Sequence, residues 1–340
     1  MKVFVTGHKG YVGNVLTKLL LEENFQVVGC DLEFYPQGFT NEDLSDVISI
    51  KKDIRELTSD DLKECSAVLH LAALSNDPLG EINPSLTNAI NFSATVRLAK
   101  IAKQAGVQRF VYSSSCSTYG ANDDIVNEES SLEPLTAYAK SKVDSEKELL
   151  KLKGGGFSPI ILRNATAYGI SPSLRLDLVV NNLVSAAVTT GKVQLLSDGT
   201  AWRPLLHVED MSRAFILCLK VPENKINGEI FNVGSNDDNY TVREIAEKVE
   251  EIIPNSTIKY SETANKDSRS YRVNFDKITN ILGFKTKWSL ESGIKHIYDV
   301  IKKKDFSEED FNDRKFYRVR YLKYLIENKK VNSNLEFLKN

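Results

Sequence analysis

Cysteine is scarce in this 340-residue chain, and its four copies are isolated. Cys30, Cys65, Cys116 and Cys218 form no CxxC pair, which argues against a zinc site or a disulfide framework and fits a reducing cytoplasm. The four histidines (His8, His70, His207 and His296) are equally scattered, so no metal site is expected. No apolar run reaches the length of a bilayer span. The opening MKVFVTG enters a strand pattern at once, without the charged and then apolar stretch of a secretory leader. Charge of one sign is also missing: 44 Lys and Arg against 46 Asp and Glu give a net charge of -2. That balance is no footprint for nucleic acid, and an anionic ligand must be held by local groups.

What is present is a chain 41% hydrophobic and 26% charged, enough to fold around a core. Short apolar runs alternate with amphipathic stretches. Strands are expected at 2–7, 26–31, 47–53, 68–73, 109–115 and 159–164, with helices at 11–23, 84–105 and 136–152. Runs such as VFVTG, VLHLAA and PIILRN are apolar on both faces, as doubly covered parallel strands are. Strand and helix in alternation predict βαβ units, hence an α/β fold with a doubly wound parallel sheet. After Asn164 the rhythm changes, and a smaller C-terminal α/β unit is expected. The tail 305–340 is charged with interspersed aromatics and reads as helices packed on the outside.

TGHKGYVG, Thr6 to Gly13, follows the first strand and opens the first helix, the context a dinucleotide loop needs. Gly7 permits the tight turn, Gly10 lets backbone approach a pyrophosphate, and Gly13 lets helix and sheet pack. The helix N-terminus favours phosphate charge. Asp31 ends the second strand, where a carboxylate can accept from the adenosine ribose hydroxyls and repel a 2′-phosphate, which favours NAD over NADP. Lys9 in the loop is a mild counter-signal.

Ser115 ends the fifth expected strand, and in open parallel sheets ligands sit beyond those carboxyl ends. Tyr138 and Lys142 stand four apart on a predicted helix and share a face. A free tyrosine is a poor base, with a pKa near 10. A nearby ammonium and a positive nicotinamide ring would favour its phenolate. Tyr138 could then take a proton from a sugar hydroxyl while Ser115 holds the reacting oxygen.

With these residues in order, the sequence resembles the extended short-chain dehydrogenase/reductases, the nucleotide-sugar epimerases and dehydratases. The likeness rests on TGxxGxxG, DI at Asp53–Ile54, HLAA at His70–Ala73, Asn91, SSSCSTYG, the Tyr138–Lys142 pair, LRNATAYG, RPLLHVED and FNVGS. It implies a Rossmann-type NAD-binding domain over 1–165 with a returning segment at about 199–222. A substrate domain would comprise 166–198 and 223–304.

It further implies a catalytic set of Ser115, Tyr138 and Lys142. The cofactor would be held by Gly7, Gly10, Tyr11, Val12, Gly13, Asp31, Asp53, Ile54, Leu71, Ala72, Ala73, Asn91 and Ala165, with Tyr138 and Lys142. A nucleotide-diphosphate sugar would meet Ser115, Thr166, Asn182, Arg203, Asp267 and Arg269. Asn182 could instead cap or pair locally, and Arg203 could bridge to Glu209 or Asp210. Dehydratases of this kind carry Asp and Glu where Cys116 and Ser117 stand, which disfavours dehydration; Cys116 reads as a small packing residue, or as an acid. The Asn common at position 166 is Thr, and Ala264 replaces the Arg of a diphosphate-binding RxxD motif ending at Asp267, so Arg269 or Arg272 would supply that charge.

The expected activity is NAD-dependent epimerisation at sugar C4 through a 4-keto intermediate. The competing expectations are a reductase or dehydrogenase with net redox change, and an NAD(H) sensor without catalysis. A homodimer is implied through the helices at 84–105 and 136–152.

Overall fold

The computed structural model describes residues 1–42, 44–265 and 270–338, with the backbone alone at 196 and 261–265. Asp267 and Arg269 therefore lie outside the described residues. Seven parallel strands form the central sheet: β1 (Lys2–Thr6), β2 (Gln26–Asp31), β3 (Ile48–Lys51), β4 (Ala67–His70), β5 (Arg109–Ser115), β6 (Ser158–Asn164) and β7 (Ile230–Val233). Their spatial order is β7-β6-β5-β4-β1-β2-β3. The order reverses beside β1, and a crevice beyond the strand ends at such a switch is where α/β sheets bind ligands.

The longer helices, in chain order, are α1 (Tyr11–Glu22), α2 (Ala94–Gln104), α3 (Ala137–Leu150), α4 (Val179–Thr190), α5 (Val208–Lys220), α6 (Val242–Ile252), α7 (Leu290–Lys303) and α8 (Arg318–Glu327). Alternation along β1 shows how the sheet is covered. Val3 and Val5 face a core shared with Leu16, Leu20 and Phe215, on α1 and α5. Phe4, one residue out of phase, faces Leu98 and Ala102 on α2. Because side chains of a strand alternate in direction, an unbroken apolar strand must be covered twice.

A second core lies around α4, α6 and α7, where Leu183, Val184, Ile245, Val249, Ile294 and Ile297 pack together. The strand EIFNVG does not belong there, contrary to the expected assignment of 223–304. It pairs in parallel with β6 as the seventh strand, because Phe231 and Val233 are fully buried against Leu162 in the main core. The fourth strand stops at His70, three residues earlier than expected, and the released loop lines the crevice. The tail forms a short helix, Glu308–Asn312, followed by α8.

Candidate active site

A cavity of about 1250 Å³ runs along the carboxyl ends of the strands. One end is made of backbone. Gly7 takes a φ of +74°, which glycine alone adopts without strain, and a Cβ there would stand 2.9 Å from the Ala72 nitrogen. A Cβ on Gly13 would stand 1.9 Å from the Gly7 carbonyl, so the start of α1 could not seat against the turn. Gly10 is the N-cap of α1 and gives it no side-chain cap, and no acidic residue occupies the first turn. The N–H groups there are thus left for an external anion.

Asp31 lines the same end, its carboxylate held by the backbone N–H groups of Lys9 (3.1 Å) and Glu33 (2.7 Å). The Lys9 ammonium is paired with Glu33, which disposes of the counter-signal from that cation. Asp53 and Ile54 also line the cavity, with Asp53 paired to Arg55 at 2.6 Å. Leu71, Ala72, Ala73 and Ala165 line it as well. Asn91 does not: it is buried, and its amide clamps Leu74 by accepting from the backbone N–H (2.8 Å) and donating to the carbonyl (3.1 Å). Its place in the π-turn Asn88–Ser93, one turn before α2, points it at the loop rather than the cleft.

The reacting end is set by α3. Thr136 caps it, accepting from the Ala139 N–H at 3.1 Å, and its own hydroxyl donates a hydrogen bond to Asp77. One turn on, Tyr138 and Lys142 enter the cavity beside Ser115. The Lys142 ammonium is buried, donates to the Ser113 carbonyl at 2.7 Å and lies 5.4 Å from the Tyr138 ring centre. Burial lowers its pKa to about 7, against the pull of Glu146. Burial, with the Asp77 charge, raises the Tyr138 phenol, while the Ser115 hydroxyl in hydrogen-bonding reach favours the phenolate. In the ligand-free protein, then, Tyr138 is protonated at neutral pH, and the lysine does not by itself make it a base.

Beneath this face a buried network fixes α3 to β5 and β6. Arg163 donates to Glu146 (2.7 Å), Ser114 donates to the same carboxylate, and Arg163 also donates to the Tyr119 hydroxyl (3.0 Å). Cys116 is buried outside the cavity, donates to the Arg163 carbonyl at 3.2 Å, and burial raises its thiol pKa. That excludes it as a proton donor to a substrate in the cavity and leaves it the packing residue.

Thr166, Asn182 and Arg203 line the far end. Asn182 also donates to the Leu176 carbonyl (2.8 Å), and Arg203 to the Trp202 carbonyl (2.7 Å). The carboxylate of Asp210 pairs with Arg213 and accepts from the Lys287 and Trp288 N–H groups.

The family assignment follows from the first two-thirds of the chain, where residues 3–234 match the NAD-dependent epimerase/dehydratase family. This chain belongs to that family. It is 27% identical over 312 residues to an uncharacterized UDP-glucose epimerase, YtcB, of Bacillus subtilis (strain 168), covering 86% of this chain and 96% of the relative. It is 28% identical over 315 residues to a UDP-glucose 4-epimerase of Lactobacillus helveticus, covering 84% and 92%. Among solved structures, MoeE5 in complex with UDP-glucuronic acid and NAD superposes with a TM-score of 0.79 at 28% identity, covering 89% of this chain and 100% of that one. The enzyme is NAD-dependent, as its family is, and the glycine cradle, the uncapped α1 and Asp31 fit that cofactor.

For this family member, several cavity residues carry no signal in the sequence. Arg175 is buried, paired with Asp177 at 2.9 and 3.0 Å, and within 3.3 Å of the Ser75 hydroxyl. Asp177 in turn accepts from Asn76 at 2.9 Å. Burial opposes ionisation of this carboxylate, but Arg175 keeps its pKa lowered. The tail, expected outside, supplies Phe311, Tyr317 and Arg318 to the cavity wall. The run SPSLRLDLVVNN is the one contiguous hint, with an arginine and an aspartate two apart before a helix.

Proposed function

We propose that this protein is an NAD-dependent nucleotide-sugar 4-epimerase working through a transient 4-keto sugar. The observation that carries the reading is the convergence of Ser115, Tyr138 and Lys142 on one wall of a cavity large enough for a dinucleotide and a nucleotide sugar together. Bound NAD would supply the hydride chemistry at C4, as acceptor and then donor. The residues 7–13, Asp31, Asp53, Ile54, 71–73 and Ala165 would hold it, with Tyr138 and Lys142 at the reacting end. Ser115 would fix the C4 oxygen while Tyr138 removes its proton and later gives it back to the inverted centre. With a pKa near neutrality, Lys142 can take up or release a proton beside the phenol. Because burial raises the Tyr138 pKa, its basic form grows with pH, and turnover should rise through the alkaline range.

Cys116 and Ser117 give the site no acid or base at the positions where dehydratases of this family carry them, which favours epimerisation over loss of water. The substrate end, with Thr166, Asn182 and Arg203, suits a nucleoside diphosphate, and UDP is preferred because the relatives named above act on or bind UDP-sugars. Four buried free thiols suit a reducing cytoplasm. Two copies would pair through α2 and α3, whose exposed residues are charged (Arg97, Lys100, Lys140, Asp144, Lys147) apart from Gln104. Sedimentation as a monomer at micromolar concentration would remove the dimer without touching the chemistry.

The test is incubation of the purified protein with UDP-glucose and UDP-glucuronic acid, following C4 configuration by NMR. Inversion without added cofactor supports the reading. Stoichiometric consumption of reduced nicotinamide with a keto sugar would replace it with the reductase alternative.

A further inference from the structure

Arg318, the first residue of α8, is 2% exposed and forms no ion pair among the described residues. Its Nη2 donates to the hydroxyl (2.6 Å) and carbonyl (3.1 Å) of Ser173, but its Nη1 is buried without a partner. The guanidinium lies 4.0 Å from the ring centre of Tyr35, whose hydroxyl is likewise buried and unpartnered. Both residues line the cavity. A buried cation is normally paired, and a buried donor is normally bonded, because leaving either alone forfeits its hydration. Two unmet polar groups side by side on a cavity wall therefore mark the place of a missing anionic ligand.

Position selects which anion. Tyr35 belongs to the loop that follows β2 and Asp31, at the cofactor end. Ser173, which Arg318 holds, lies two residues from Ser171, whose hydroxyl donates to the Tyr11 carbonyl at 2.7 Å in the first turn of α1. The guanidinium is thus tied by one short loop to the uncapped helix start, where backbone N–H groups await phosphate. A planar guanidinium fork matches phosphate oxygens, and the phenol supplies one further donor.

We propose that Arg318 and Tyr35 form a second anchor for the pyrophosphate of the dinucleotide, added from the C-terminal segment to the one made by the glycine turn. The tail is then part of the cofactor site. The proposal rests on the family's use of NAD and not on the epimerase reading.

The experiment measures equilibrium binding of NAD, and separately of UDP, to the full chain freed of nucleotide, for the wild type, Arg318→Gln and Tyr35→Phe. Arg318→Gln should weaken NAD by roughly ten- to a hundred-fold, the range for a charge-assisted hydrogen bond, with UDP affinity unchanged. Tyr35→Phe should weaken NAD by roughly three- to ten-fold. It removes only a hydroxyl that bonds nothing in the free protein, so it decides the matter if Arg318→Gln does not fold. Unchanged NAD affinity in the variants overturns the proposal. Loss of UDP affinity with NAD binding intact also overturns it, and assigns the pair to the diphosphate of the sugar nucleotide. Failure of the wild type to bind NAD would instead count against the cofactor assignment itself.

Discussion

The two ends of the cavity are built by different means. At the cofactor end, seven consecutive residues, 7–13, fold backbone into a cradle, and a strand-terminal Asp31 stands beside it. At the reacting end, groups from distant segments meet through side chains: the Tyr138 phenol is within hydrogen-bonding reach of Ser115, and Arg175 pairs with Asp177, which accepts from Asn76. A backbone cradle tolerates variation of most side chains around it, since its donors are amides. A side-chain cluster changes specificity with each substitution, because a buried polar group left unpaired carries its full desolvation cost. One fold can thus keep its cofactor while changing its sugar, and the family name, spanning epimerases and dehydratases, fits that division of labour.

The comparison can be broken at either end. The largest effect is expected for Tyr138→Phe, which should lower turnover by about 10²- to 10⁴-fold, the range for one general acid–base group, with NAD content intact by extraction and absorbance. If NAD is lost as well, the two ends are not separable. Next, Arg163→Met leaves Glu146 buried without its partner and should cost about 3–5 kcal/mol in urea unfolding. That variant tests whether the network beneath α3, rather than the cavity itself, holds the reacting face. Asp177→Asn should raise KM for the sugar nucleotide by about ten-fold, as loss of a charged hydrogen bond does, with NAD affinity unchanged. The smallest effect per step is a pH dependence. Burial, aided by the Lys142 charge at His70 and by the His296 and Arg213 charges at His207, lowers both histidines to about 3. The unfolded chain, with histidines near 6.5, binds more protons in between, so stability falls as pH drops from 6.5 toward 3, by about 1.4 kcal/mol per unit and group at the steepest. Thermal unfolding across that range checks it, and a flat profile would mean that the two rings are solvated.

Contiguity explains what could be read from the sequence. The glycine turn, Asp31 and the Tyr138–Lys142 pair are short-range patterns, and their spacing alone places them on a turn, a strand end and a helix face. Six of the seven central strands were visible for the same reason, as short apolar runs, although the edge strand β3 is largely exposed. Strand β7 was misassigned because its neighbour in space, β6, lies more than sixty residues earlier, and no local pattern records that pairing. Asn91 stands in the right helix for the cleft, yet the π-turn directs its amide to Leu74. Arg175 and Asp177 alternate with leucines in SLRLDLVV, and Arg318 sits in a charged stretch that looks solvated. Only the folded chain shows that Arg175 meets Ser75 and Arg318 meets Tyr35 inside a cavity.

The central claim is that Tyr138 and a resident NAD pass C4 of a nucleotide sugar through a ketone and back. The most direct measurement follows nicotinamide absorbance and the C4 configuration of a UDP-sugar in the same sample, with purified protein and no added cofactor. The account predicts inversion at C4 with no net change in absorbance over many turnovers. An absorbance change in step with product, or a protein that carries no NAD and inverts nothing until reduced cofactor is supplied, would contradict it.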